Sequence, residues 1–301
     1  MKKLLFLTLF FPFFTSAQEY VDIFKIGYGQ TLNNNFEGVD SSTNAEFFEA
    51  GFTFPVVLNE NHTFITGADF SLNSVQLFPE TEYSNLYSTS LVLGMASTWS
   101  EKWSTTIILL PKIASDYKNI SSNDFYFGGF AILKLKKNEN FKYKFGVYAS
   151  QEAFGLFTTP ILGWYYLSTN KRFMMDMSLP ISADINYKFG ATTIGIDYFG
   201  IGRSYNVHYE NKPTIYADLS SLEFAGYFQF NVLEESILLR AKVGYSSNNY
   251  EMYAEGQEID VGVSAFSFGD DRTQLNPSIN GGVFLKVEAI YRFHIKESKP
   301  K

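Results

Sequence analysis

The feature that most constrains this chain is a repeated alternation of apolar and polar residues with a period of two. The final example runs from Val283 to Phe293, where every second residue is apolar or aromatic and several residues between them are charged. Successive side chains of a β-strand point to opposite faces, so this segment predicts a strand with one apolar face and one mostly charged face. The apolar face would meet a second sheet in a soluble sandwich, or lipid in a transmembrane barrel.

Twelve earlier segments show the same alternation. They cover residues 24–28, 48–56, 64–72, 87–95, 107–113, 125–135, 143–147, 173–179, 185–189, 194–198, 222–230 and 237–245. One alternating segment is weak evidence for a strand, but a long succession of them indicates an all-β chain. An aromatic content of 18% combined with a mean hydropathy of −0.08 fits strands that alternate aromatic with polar residues.

The connections between these segments alternate in length. Short polar turns occur at 59–61, 100–102, 138–140, 169–171 and 234–235, and longer links occur at 32–43, 78–83, 116–123, 151–158, 206–220 and 247–280. Transmembrane barrels have short turns at one end and longer loops at the other, whereas a sandwich gives no reason for this sorting. We therefore predict a single transmembrane, antiparallel, up-and-down β-barrel of about fourteen strands, or about twelve if neighbouring segments merge. We also expect a hairpin within 258–268 and a tight outer turn at Pro180.

The first 17 residues have the organisation of a secretory signal peptide. Lys2 and Lys3 precede an apolar run at 4–14 that is too short to span a bilayer as a helix, and Thr15-Ser16-Ala17 provides a small-residue cleavage site. We therefore expect residues 1–17 to be removed on export and residues 18–301 to form the barrel domain.

Charge and cysteine content exclude several classes of function. The formal net charge is −7, which makes nucleic acid a poor partner for this chain. The sequence contains no cysteine, so neither disulfides nor thiolate zinc sites can form. We expect no metal site and no cofactor.

The polar faces of the predicted strands carry many charged residues, which a barrel would turn toward its lumen. The candidates for lumen-facing positions are Asp69, Asp176, Asp184, Asp197, Arg203, Arg240, Lys242, Lys286, Glu288 and Arg292. They would either create a field across a conducting pore or pair with one another and fill the lumen. Barrels of about eight strands are filled by side chains and those of sixteen to eighteen leave a channel, so about fourteen is intermediate.

Two features carry a resemblance to a known class of proteins. The last predicted strand ends with the aromatic residues Tyr291 and Phe293, and Leu179-Pro180 is followed by the alternating segment 184–189. The chain resembles the outer-membrane β-barrel proteins of Gram-negative bacteria, and within them an uncharacterised family described as a domain of unknown function. The resemblance implies a place in the bacterial outer membrane, contact with its lipids including lipopolysaccharide, and handling by the barrel assembly machinery. It implies no assigned activity.

Three functions are consistent with such a barrel. The function that we expect first is that of a passive channel or small-solute transporter. The alternative is a non-conducting structural or surface barrel with partner-binding outer loops, which a lumen plugged by the links at 32–43 or 247–280 would favour. The third is an outer-membrane lipid hydrolase that uses His208 with Ser204 or Asp218.

The hydrolase hypothesis has little support from motifs. A serine hydrolase needs Ser and His within hydrogen-bonding reach and a third group that orients the base, and the sequence contains no G-x-S-x-G. We therefore predict that the protein is not an enzyme and assign no catalytic residue. The adjacent acids Asp270 and Asp271 lack the alternate spacing of a calcium loop and predict a solvated turn.

Overall fold

The computed structural model describes residues 20–208 and 213–294, so the predicted signal peptide lies outside the described residues. The described chain contains seventeen strands and one short 3-10 helix. The strands are β1 (Tyr20–Asn35), β2 (Ser42–Val57), β3 (His62–Val75), β4 (Ser84–Thr98), β5 (Trp103–Ser115), β6 (Phe125–Asn138), β7 (Phe141–Glu152), β8 (Gly155–Leu167), β9 (Phe173–Leu179), β10 (Ser182–Phe189), β11 (Thr192–Val207), β12 (Ile215–Val232), β13 (Ile237–Ser246), β14 (Asn249–Ala254), β15 (Val261–Val263), β16 (Phe266–Phe268) and β17 (Gly282–His294), and the helix η1 covers Ser122–Asp124. No helix in this part of the chain is long and apolar enough to cross a membrane.

Fourteen of these strands close into an antiparallel barrel. Each strand from β1 to β12 pairs with the next one in sequence, β13 pairs with β17, and β17 pairs with β1. The first and last residues of the wall, Tyr20 and His294, are paired with each other, so the wall begins and ends at the same end of the barrel. We call this the inner end, because the short predicted turns also lie there. The all-β barrel of about fourteen strands predicted from the sequence is confirmed, and the count of twelve is wrong.

The period of two sorts the side chains of the wall into an outward and an inward set. On β13 and β17, Val243 and Val287 are each 58% exposed, whereas Lys286 and Glu288 are 7% and 4% exposed. The outward set includes the large exposed side chains of Phe24, Phe52, Leu91, Ile107, Phe127, Val147, Leu162, Ile196, Phe228 and Leu239. An apolar belt of this extent requires lipid around it, so the barrel spans a membrane with its polar residues turned toward the lumen.

The predicted long link at 151–158 is wrong. β7 ends at Glu152 and β8 begins at Gly155, so only Ala153 and Phe154 connect the two strands. Gly155 has a φ of +112°, a conformation that glycine adopts without steric cost, and this allows a tight reversal directly after Phe154.

Two other expectations about the connections between strands are confirmed. β9 and β10 are joined by the tight turn at Pro180-Ile181, and the hairpin expected within 258–268 is present as β15 and β16. β15 also runs parallel to the start of β8, where Gly262 pairs with Phe157. The segment between β13 and β17 is therefore a structured cover over the outer end rather than an extended loop.

Candidate functional site

The outer mouth of the barrel is covered by extensions of its own wall. The outer ends of β11 and β12, residues 203–207 and 215–220, form a ribbon that β14 widens by pairing with 215–220. Across the mouth, Asn206 of β11 pairs in parallel with Ser115 of β5, and the N–H of Asp116 donates to the Asn206 carbonyl at 2.9 Å. Five wall strands separate β5 from β11, so this contact crosses the opening. We call residues 203–207, 215–220 and β14 the lid.

The face of the lid that points into the barrel is apolar. Its buried members are Tyr205, Val207, Ala217, Leu219, Tyr250 and Met252, which recur at every second position along each strand. They pack against Phe36, Ala45, Val75, Leu77, Leu86, Ala114, Tyr126 and Ile279 from the wall and the outer loops. Complete burial of one large apolar side chain contributes about 1.5–3 kcal/mol, so the lid and the opposite wall share a packed hydrophobic core.

Both predicted plug segments take part in this core. Phe36 comes from the link at 32–43 and Ile279 from the link at 247–280, and the two residues form an isolated bridge with each other. The sequence did not indicate that β11 and β12 would supply most of the lid.

Three polar contacts join the lid to β3 on the opposite wall, and one of them is the hydrogen bond that the Tyr250 hydroxyl donates to Asn73 Oδ1 at 3.4 Å. Arg203 Nη1 donates to Ser71 Oγ at 3.1 Å, and Asn73 Nδ2 donates to the Tyr205 hydroxyl at 3.0 Å. Tyr205 is completely buried, so its hydroxyl depends on these polar neighbours for the hydrogen bonds that water cannot supply. These contacts fix the lid in register with β3.

Glu152 of β7 anchors the lid from a third direction. Its Oε2 accepts hydrogen bonds from the N–H and the hydroxyl of Ser204, both at 2.9 Å. Its Oε1 accepts from Ser150 Oγ at 2.6 Å and from Lys112 Nζ of β5 at 2.5 Å. The Glu152 side chain is fully buried and all four contacts satisfy it, which is the condition under which a buried charge is tolerated.

The tip of the lid is held by acidic residues near η1. Asp116 accepts from the N–H of His208 at 2.9 Å and lies 3.0 Å from His208 Nδ1. Asn206 Nδ2 donates to Asp124 Oδ1 at 2.9 Å. The structure therefore brings His208 to Asp116, and not to Ser204 or Asp218, the two partners that a hydrolase would have required.

The side of the lid facing away from the barrel is covered by the segment between β14 and β17. Arg272 of this cover reaches Asp218 of β12 at 3.0 Å and Asp270 at 2.9 Å, and its guanidinium lies 4.0 Å from the ring centroid of Tyr253. Hydrogen bonds from Arg272 hold the pKa of the Asp270 carboxyl below its ordinary value. Asp270 is therefore part of an ion pair, and the solvated turn expected at this position carries a structural role.

Below the lid, Glu288 lies at the centre of a group of cations from three strands. Its carboxylate is 2.9 Å from Lys25, 3.3 Å from Lys242, 3.5 Å from Lys286 and 3.8 Å from Arg240. A buried carboxylate is tolerated in such surroundings because the cations compensate its lost hydration.

The neighbouring acids complete the network. Asp197 lies 2.5 Å from Lys242, Asp184 accepts a hydrogen bond from Tyr227 at 2.8 Å, and both carboxylates are 3.9 Å from Arg240. Lys286 also contacts Glu49 of β2 at 2.7 Å. Opposite charges are thus matched at contact distance, so they act as cross-links of the lumen rather than as a field between an acidic and a basic wall.

The remaining lumen candidates lie outside this central network. Arg203 belongs to the lid, and Asp69 of β3 lies over Gly51 of β2. Toward the inner end, Arg292 forms a two-pronged pair with Asp22 at 2.6 and 3.0 Å, and Asp176 pairs with Lys144. The structure therefore does not bring the ten candidates into one site.

The anchors of the lid were missed by sequence reasoning. Glu152 and Asn73 continue the polar alternation of β7 and β3, which is the signal that could have marked them as lumen-facing. Their partners, Ser204 and Tyr205, come from a strand far away in sequence, and no local pattern reports such a pairing. Among the described residues, no group of three or more His, Asp or Glu side chains is arranged to hold a metal ion.

Comparison with curated proteins finds no match. Among solved structures, the chain is similar to the Pseudomonas putida toluene transporter TodX (8% identity, 92% of this chain and 91% of the other, TM-score 0.36). It is also similar to Pseudomonas putida OprB (10% identity, 91% and 94%, TM-score 0.37). A third similar structure is outer membrane phospholipase A from Escherichia coli (12% identity, 90% and 97%, TM-score 0.36).

The family comparison gives a clearer result. The model described as Domain of unknown function (DUF6268) matches residues 13–249, a span that contains β1 to β13 and therefore all of the barrel wall except β17. The match covers well over half of the chain, and the protein belongs to this family of unknown function.

Proposed function

We propose that this protein is a non-conducting outer-membrane barrel that presents a folded outer surface to a partner. The observation that carries the proposal is the lid, which crosses the outer mouth and packs into an apolar core with β3, β4 and β5. A passive channel needs a continuous aqueous path, and the buried Tyr205, Leu219 and Met252 lie across that path.

The way in which the lid is attached supports a closed resting state. It is held on three sides, by Asn73 of β3, Glu152 of β7 and Asp116 after β5. If the lid left, the buried carboxylate of Glu152 would lose both hydrogen bonds from Ser204, and leaving a buried acceptor unsatisfied costs about 1–3 kcal/mol or more for a charged group. Spontaneous opening would therefore be rare.

The outer-membrane location is part of the same proposal. A closed barrel with an apolar belt is the β-structure that can span a membrane, since closure leaves no unpaired strand edge in lipid. The outward residues Tyr291 and Phe293 of β17 are 46% and 47% exposed, which suits an interfacial aromatic band and a strand recognised by an assembly machinery. The belt would contact outer-membrane lipids, including lipopolysaccharide in the outer leaflet.

We assign the protein no enzymatic activity. The hydroxyl of Ser204 is bound to Glu152, and the imidazole of His208 is bound to Asp116, so each group already serves to hold the lid. A serine nucleophile would need these two groups in contact with each other.

The test of the proposal is electrical recording on the refolded protein in a planar bilayer. We expect the wild-type barrel to insert and remain silent. The double variant Tyr205→Ala/Leu219→Ala, which removes two buried side chains from the lid, should give current steps. The matched control Tyr245→Ala/Leu239→Ala removes the same residue types from the lipid-facing side of β13 and should remain silent.

Steady current steps from the wild-type protein would contradict the proposal and support the second candidate, a passive channel for small solutes. That candidate is favoured by the size of the wall, since fourteen strands enclose more space than the eight that side chains alone can fill. If the lid variant folds and is silent, the lid is not what closes the barrel.

A further inference from the structure

A patch of four lysines lines the inner half of the lumen, away from the lid and from the central network around Glu288. Lys134 and Lys136 lie on β6, and Lys142 and Lys144 lie on β7. In the antiparallel register Lys134 is directly opposite Lys144, and Lys136 is directly opposite Lys142. We call these four residues the lysine patch.

The lysine patch faces the lumen. The residues that alternate with it, Leu133 and Phe145, are 37% and 43% exposed on the lipid side. On the other side, Lys144 Nζ reaches Asp176 and Ser178 on β9, two strands away, with a distance of 3.3 Å to Ser178 Oγ. Lys142 Nζ lies 5.8 Å from the ring centroid of Tyr165 on β8. All four lysines are half-buried.

Such an arrangement is unfavourable by itself. Side chains directly opposite each other on paired strands have Cβ atoms about 4.5–5.5 Å apart, and like charges at this distance are destabilising. The patch contains two such pairs side by side. A chain that needed only to fold could place uncharged polar residues there.

The carboxylates near the patch compensate only part of its charge. Asp176 pairs with Lys144, and Glu139 lies 2.6 Å from Lys136 but is 79% exposed in the turn after β6. Exposed pairs of that kind contribute little. Among the described residues, no carboxylate lies within 4.0 Å of the ammonium groups of Lys134 or Lys142.

Two other cations near the inner end of the barrel each pair with a carboxylate. Arg292 pairs with Asp22, and Lys188 pairs with Glu235. The surplus of positive charge is therefore local to the lysine patch and is not a general property of the inner end.

We propose that the lysine patch binds a small solute carrying two or more oxyanion charges, either phosphate groups or clustered carboxylates. Lys134 and Lys142 supply ammonium groups that no carboxylate of the described residues contacts, and the Ser178 hydroxyl beside Lys144 supplies an additional donor. Because the patch lies in the inner half of the barrel, the solute enters from the periplasmic side. This inference does not depend on whether the lid opens.

The proposal is tested by titrating the refolded barrel, in a zwitterionic detergent at low ionic strength, with pyrophosphate and separately with citrate. Binding is followed by calorimetry and by the urea midpoint of unfolding, which a ligand of the folded state raises. The double variant Lys134→Gln/Lys142→Gln should weaken binding by about tenfold or more. The control Lys102→Gln/Lys137→Gln removes the same charge from exposed positions at the same end and should leave the affinity within about twofold.

A structural role for the lysines predicts a different result. If they merely support the fold, the Lys134→Gln/Lys142→Gln variant should unfold at lower urea than the wild type. If they form a binding patch, its midpoint without ligand should be unchanged or higher, since the substitution relieves repulsion.

Each probe outcome decides a separate question. Binding of pyrophosphate alone identifies a phosphate-bearing solute, binding of citrate alone identifies a carboxylate-bearing one, and binding of both supports a general oxyanion site. The proposal is overturned if neither probe binds at about 1 mM. It is also overturned if the two double variants lose the same amount of affinity. An oligoglutamate peptide that binds more tightly than both probes would overturn the small-solute assignment in favour of an acidic protein segment.

Discussion

Asn73 of β3 and Tyr205 of β11 are joined by a hydrogen bond of 3.0 Å across the mouth of the barrel. Five wall strands separate their two strands by the shorter route around the wall. A contact between such distant parts of the wall exists only because β11 leaves the wall and extends over the lumen. It therefore reports directly on the closed position of the lid.

This contact predicts that the effects of substituting the two residues on the free energy of unfolding are not additive. Tyr205→Phe and Asn73→Ala should each lower the free energy of unfolding, and the double variant should lose about 1 kcal/mol less than the sum of the two. The measurement is a double-mutant cycle from urea unfolding in lipid vesicles. Strictly additive effects would show that the two side chains do not meet in the membrane.

The pairing of Asn206 with Ser115 predicts that a disulfide between these two positions can hold the lid on β5. The chain contains no cysteine, so Ser115→Cys/Asn206→Cys introduces the only two thiols. Adjacent strand residues have Cα separations compatible with a disulfide, and we expect rapid oxidation, seen as a mobility shift on a non-reducing gel.

The control for the lid cross-link is Ser115→Cys/Thr193→Cys. Thr193 lies on the same strand β11 but at its inner end, so its thiol should stay far from position 115. Equal cross-linking of both pairs, or of neither pair under oxidant, would argue against a docked lid.

The contacts of Glu152 predict that its substitution strongly lowers the free energy of unfolding. Glu152→Ala leaves the buried Lys112 without its partner and removes the oxygen that accepts both hydrogen bonds of Ser204, which should cost about 3–5 kcal/mol of stability. Glu139→Ala breaks an exposed pair with Lys136 in the turn between β6 and β7 and should cost at most about 0.5 kcal/mol. The measurement is urea unfolding of both variants in vesicles, and similar losses would contradict the assigned role of Glu152.

The ion pair of Asp270 and Arg272 predicts that the cover loosens in acid. Hydrogen bonds from Arg272 lower the pKa of Asp270 below its ordinary value of 3.8. The stabilisation is therefore fully present above pH 3.8 and is lost as the pH falls through the lowered pKa of the folded state.

The measurement is hydrogen exchange of residues 269–275 as a function of pH, corrected for the intrinsic exchange rate. Asp270→Asn should exchange faster at neutral pH and should lose the acid-dependent step. An acid-dependent step of the same size in Asp270→Asn would assign the change to another group.

The apolar belt predicts that the stability cost of a charged substitution depends on its depth in the membrane. Val287 lies near the middle of β17 and is 58% exposed, so Val287→Arg should cost about 2–4 kcal/mol. Val283 lies near the outer end of the same strand and is 50% exposed, and Val283→Arg should cost about 0–1 kcal/mol. Equal costs from unfolding in vesicles would mean that the membrane does not centre on the middle of β17.

The sequence by itself determined the strands, their two faces and the approximate number of strands in the wall. These properties follow from the period of two, which each segment carries locally and which needs no information from distant residues. The segment 283–293 illustrates this, because its apolar residues face lipid and its charged residues face the lumen in the structure, as the alternation predicts. The tight turn at Pro180 was likewise visible in the sequence.

The tertiary structure alone decided what fills the lumen. The polar alternation of Asn73 and Glu152 would be the same whether they faced water or a lid, so the sequence could not show that Tyr205 and Ser204 meet them. Closure of the barrel and the inward turn of β11, β12 and β14 bring together residues far apart in sequence, and local patterns carry no signal for such contacts.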